Sequence, residues 1–166
     1  MGWTRRQVLK GLGGLLAAGS ALGLGAATVA GEAAPSGLRL LGATEARILR
    51  AAAERLLAGT PLDEAALAEV LRWIDGYLRR QGEPLRTEVR GLLWGLELSA
   101  PLFGEGWARF SRRDADSRDA VLRAWSTSRF ALFRQGYAGL KGLVLMAGYR
   151  QPAFLRSIGY DGPPHG

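Results

Sequence analysis

The sequence predicts an all-α protein, a single helical-bundle-like domain of about five helices plus a short C-terminal helix. Three observations carry this. Leu67, Val70, Leu71, Ile74 and Leu78 recur at i, i+3, i+4, i+7 and i+11, the spacing of one helix face. Leu85, Val89, Leu92, Leu93 and Leu96 form a second stripe of the same kind. No segment sustains the period-two alternation of β-branched residues that marks a half-buried strand.

The elements follow in order. Thr44 is a good N-cap, and Ile48, Leu49, Ala52, Ala53 and Leu56 then share one face, with Arg47, Arg50 and Glu54 on another. This helix ends before Gly59. Asp63 caps the second helix, which Gly82 ends. Pro84 suits the first turn of the third helix. Gly91 and Gly95 lie four apart on it, a spacing read as close packing of another backbone, because each glycine costs about 1 kcal/mol relative to Ala in a helix. Residues 101–113 read as irregular and aromatic, with Phe103, Trp107 and Phe110. Asp114 or Asp116 caps a fourth helix through Val121, Leu122 and Trp125. Thr127 or Ser128 caps a fifth, with Phe130, Phe133, Tyr137, Leu140 and Val144 at helical spacing up to about Tyr149. Pro152 begins the short last helix, and Gly159 ends it.

Residues 1–30 have the form of an export signal: a basic start, an apolar middle and small residues at the end. Thr4-Arg5-Arg6-Gln7-Val8-Leu9-Lys10 resembles the twin-arginine motif Ser/Thr-Arg-Arg-x-Phe-Leu-Lys, with Val8 where Phe is usual. The signal residues are thus Thr4, Arg5, Arg6, Leu9 and Lys10. The middle is Gly-rich and only moderately hydrophobic, which suits the route that carries folded cargo. Small residues at 28–30 offer a cleavage site. The alternative is a permanent anchor, since residues 11–30 are about the 20 apolar residues that a span needs. Residues 31–43 read as a linker, and residues 44–166 as the helical domain. The expected location is the periplasm, with membrane association only through an uncleaved signal or a larger complex.

The chain has 166 residues and net charge +7, of which Arg5, Arg6 and Lys10 supply three, leaving +4 on the rest. Its arginines alternate with Asp and Glu along the helices, so no nucleic-acid partner is expected. There is no cysteine, which excludes disulfides, thiolate-held clusters, covalent haem and a Cys nucleophile. The single histidine, His165, sits next to the C-terminal residue, and a zinc site of His and Cys is not available.

No catalytic, cofactor-binding or metal-binding residue is expected on this chain. Gly11-Leu12-Gly13-Gly14 lies inside the signal and not between a strand and a helix, and no P-loop is present. Asp114, Asp116 and Asp119 cluster among Arg112, Arg113 and Arg118, the pattern of a capped helix start with solvated ion pairs. Ser126, Thr127 and Ser128 have no histidine to activate them. Lys141, the one lysine beyond the signal, lies in an apolar run; its stem is expected on the core with its head in water, the alternative being a cation paired with a partner's carboxylate. Any single aromatic near Trp107 or within residues 149–160 is expected in the core; some stand instead as interface, where Trp, Tyr and Arg are enriched, and the candidate partner-contact residues are Trp107, Lys141, Tyr149 and Tyr160.

Taken in order along the chain, these pieces resemble the small third subunit of the gluconate 2-dehydrogenase type. The resemblance runs from the twin-arginine signal through Leu41-Gly42-Ala43-Thr44-Glu45-Ala46 and Arg55-Leu56-Leu57-Ala58-Gly59-Thr60-Pro61. Its most specific part is Phe133-Arg134-Gln135-Gly136-Tyr137, Leu140-Lys141-Gly142-Leu143, Gly148-Tyr149, Pro152 and Ile158-Gly159-Tyr160-Asp161-Gly162-Pro163. Ala58 stands where the family has proline, Gly148 replaces an aromatic, and Phe154-Leu155 stands near the family's tryptophan. The resemblance implies a non-catalytic subunit beside a large FAD-dependent dehydrogenase of the glucose–methanol–choline class, acting on a sugar, sugar acid or alcohol. FAD would sit on that partner, and haem c on a cytochrome c subunit where one is present. The small subunit would carry the flavoprotein to the twin-arginine translocase. Two other classes stay open: a stand-alone exported helical binding protein, and an enzyme using only Asp, Glu, Arg and Tyr.

Overall fold

In the computed structural model, residues 37–103 and 106–159 are described. They form six α-helices and one 3-10 turn, with no strand among them: α1 Ala43–Leu56, α2 Glu64–Arg80, α3 Glu83–Phe103, the 3-10 turn Phe110–Arg112, α4 Ala115–Ser126, α5 Ala131–Gly148 and α6 Pro152–Ser157. The all-α expectation holds. The export signal (with Thr4, Arg5, Arg6, Leu9 and Lys10), the linker up to residue 36 and Tyr160 lie outside the described residues.

α1 is the central element, touching α2, α3, α4, α5 and the 3-10 turn. Its sequence explains this position. Ala46, Ala51, Ala52 and Ala53 are all buried beside Ile48 and Leu49. Short side chains around most of the helix let several neighbours approach it at once. The two leucine-rich stripes close over it: Val70, Leu71, Ile74 and Leu78 of α2, and Val89, Leu92, Leu93 and Leu96 of α3, are all buried. Trp125 of α4 and Leu140, Val144 and Ala147 of α5 complete the core.

Several local expectations are corrected. Thr44 is not the N-cap of α1; Gly42 is, because Glu45 reaches back and its Oε2 accepts the Gly42 N–H at 3.0 Å, placing Thr44 inside the first turn. Ser128 does not cap α5. Its Oγ accepts the N–H of Phe130 at 3.2 Å in a turn before the helix, Phe130 is the N-cap, and Thr127 closes α4. α3 runs through Pro101 to Phe103. Pro101 has no backbone N–H, so one bond of the helical ladder back to the preceding turn is missing there. Gly91 does not serve close packing, since a Cβ there would meet open space. A close approach does occur at Gly148, where a Cβ would lie 3.0 Å from the Leu57 side chain at Cδ2. Asp63 caps α2 as expected, accepting the Ala66 N–H at 2.8 Å.

One polar contact fixes where the domain begins. Asp75 interrupts the apolar stripe of α2 and is 2% exposed. Its carboxylate accepts three successive backbone N–H groups, from Arg39 at 3.1 Å, Leu40 at 2.9 Å and Leu41 at 2.9 Å. The chain entering from the N-terminal side is therefore locked onto α2 before α1 starts.

Candidate partner interface

The loop between α3 and α4 is built from charged side chains turned inward. Glu97 occupies a core position on α3, 1% exposed. Its Oε2 accepts the Ser111 N–H at 2.8 Å and its Oε1 the Ser111 hydroxyl at 2.7 Å. Arg113 is 5% exposed. Its Nε donates to the Ala108 carbonyl at 2.9 Å, and its Nη2 donates to those of Gly106 at 2.9 Å and Ala100 at 3.2 Å. Arg118 reaches from α4 to the Ser111 carbonyl at 3.0 Å and to Glu54 of α1 at 2.9 Å. Phe110, fully buried, plugs the loop into the core. Backbone groups that would otherwise need water are thus satisfied by side chains, which is how an irregular segment is held in one shape.

This clamp carries Trp107. Gly106, at φ +74°, turns the chain outward just before it. Trp107 is 92% exposed, and Leu102, at the end of α3, is 78% exposed. Little of either side chain is covered by the described residues.

The other expected contact residues lie elsewhere. Lys141 and Tyr149 are both exposed on α5, and Lys141 Nζ stands 5.8 Å from the centre of the Tyr137 ring. The lysine head is in water, as its apolar surroundings suggested. Tyr149 packs edge-on against Phe154 of α6, ring centres 4.8 Å apart. The fold does not gather Trp107, Lys141 and Tyr149 into one site. Lys141 instead lines an open groove with Arg55, Asp119, Arg123, Ser126 and Tyr137.

The acidic cluster is structural. Asp114 caps α4, accepting the Ser117 N–H at 2.9 Å and its hydroxyl at 2.8 Å, and these bonds hold its pKa below the usual carboxylate value. Asp119 takes both arms of Arg55, at 2.8 and 2.6 Å, and that pairing lowers its pKa. Burial pushes the Glu88 carboxyl up, but no group of three or more Asp, Glu, His or Cys suited to a metal occurs among the described residues.

The clamp itself was not anticipated. Glu97 falls on the buried stripe of α3 at helical spacing from Leu93 and Ala100, and that is a readable signal. Nothing in the sequence ties it to Ser111, or Arg113 to three carbonyls.

No family model, no curated protein and no solved structure matches this chain.

Proposed function

We propose that this chain is a non-catalytic small subunit that binds, stabilises and co-exports a folded FAD-dependent dehydrogenase of the glucose–methanol–choline type. The substrate of the assembly would be a sugar, sugar acid or alcohol, with FAD on the partner and haem c on a cytochrome subunit where one is present. The observation that carries the binding role is Trp107, 92% exposed on a loop fixed by Glu97, Arg113 and Arg118. The export role rests on Arg5 and Arg6 in the motif of a route for folded proteins. A flavoprotein takes up its cofactor before crossing the membrane, so it needs that route, and a subunit bearing the signal supplies it. The nature of the partner rests on the ordered resemblance along the chain.

The test is to change Arg5→Lys and Arg6→Lys together in the native bacterium and follow the dehydrogenase. Both proteins should accumulate in the cytoplasm, the dehydrogenase with its flavin bound. A dehydrogenase that still reaches the periplasm in full would remove the carrier role.

A further inference from the structure

Between Asp119 and Asp161 the sequence has no acidic residue, while Arg123, Arg129, Arg134, Lys141, Arg150 and Arg156 all fall there. None of the six makes an ion pair among the described residues. The same stretch holds Phe130, Met146, Tyr149 and Ile158, four of the large apolar side chains that stand exposed. On α5, Phe130, Arg134, Ala138, Lys141, Leu145 and Tyr149 succeed one another every three or four residues, so they share one face, and it is the outward one. The groove beside Lys141 extends the positive charge. In it Arg55 is paired with Asp119, whose charge also acts on Arg123, while Lys141 makes no ion pair among the described residues.

We propose that this α5 face, with the adjoining groove, docks on an anionic lipid surface. Cations draw such a face to the negative headgroups, and single exposed apolar side chains enter the interface between them. A lipid surface fits better than an acidic protein because of how the groups are spread. Protein interfaces gather their anchors at the centre of a patch within a polar ring. Here Phe130 stands at one end of α5 and Tyr149 at the other, about 28 Å apart at 1.5 Å per residue, with the cations between and Met146 beside Tyr149. The inference is independent of the dehydrogenase and uses a different surface from Trp107.

Among the described residues the buried core runs from Leu41 to Phe154, so a chain of residues 31–166 keeps it and removes residues 1–30 from the measurement. Its binding is measured by co-sedimentation with vesicles of phosphatidylcholine alone, and of phosphatidylcholine mixed equally with phosphatidylglycerol. Binding is expected to the mixed vesicles only, and to weaken with salt. Arg123→Gln with Lys141→Gln should weaken it on the order of 30-fold, from two surface cations. Met146→Ser with Tyr149→Ser should also weaken it, at unchanged charge. All four positions lie at the surface, and circular dichroism checks that each variant keeps its helices. Equal binding to both vesicles, or full binding by either variant, overturns the proposal. Binding to neither also overturns it, and leaves the face to an acidic protein.

Discussion

Arg113→Met is expected to destabilise the domain by about 3 kcal/mol: the buried Ala100 carbonyl loses its donor at roughly 1–3 kcal/mol, and the half-buried Gly106 and Ala108 carbonyls lose charge-assisted bonds. The carbonyls of Ala100, Gly106 and Ala108 all accept from this guanidinium. Methionine replaces much of the volume and can donate to none of them. The value stays moderate because the Gly106 and Ala108 carbonyls are half-buried and can bond to water instead. The damage should be local as well as global, because the same bonds hold the loop that presents Trp107. Urea unfolding should show a lower midpoint at an unchanged slope. Hydrogen exchange should quicken around residues 106–111 in particular. A stability change within about 0.5 kcal/mol, the range of an ordinary surface substitution, would show that the clamp carries no weight.

Asp75→Ala should cost about 2–4 kcal/mol, since one truncation deprives three N–H groups of their acceptor and charge-assisted bonds are the stronger kind. Asp75→Asn keeps one oxygen and should recover part of that loss. The amides of Arg39, Leu40 and Leu41 should lose protection first, before α1 and α2 open. If those three amides exchange at the wild-type rate in the alanine variant, the segment is held by other contacts and the assigned role of Asp75 is wrong.

The helices were legible because each carries a periodic apolar face; the α2 stripe is buried throughout and the α3 stripe from Val89 to Leu96, while Leu85 is only half-buried and Ala100 extends the buried face beyond the stripe. The polar members of those stripes were the harder part. Asp75 and Glu97 sit at core spacing, yet a sequence does not say which distant backbone groups will reach them. Their partners lie 34–36 residues away for Asp75 and 14 for Glu97. Helix ends moved for the same reason. Thr44 and Ser128 are sound caps by type, but a side chain from one turn on, or a turn made before the helix, took the role. Trp107 was readable as a contact candidate by residue type alone. Its exposure was not, because that depends on Arg113 holding three carbonyls. Gly91 was misread because helical spacing places two glycines on one face without saying whether that face meets a neighbour.

The central claim is that this chain binds a flavoprotein through Trp107. The most direct measurement is to purify the affinity-tagged chain from the periplasm of its own bacterium and record the flavin absorbance of what comes with it, for the wild type and for Trp107→Ala. The wild type should bring down one large protein carrying stoichiometric flavin. Trp107→Ala should keep its own fold and lose at least about 2 kcal/mol of binding, roughly 30-fold in affinity, as a central anchor does. A wild-type chain that purifies alone, or with a partner lacking flavin, would contradict the account, and so would a Trp107→Ala chain that retains the flavoprotein in full.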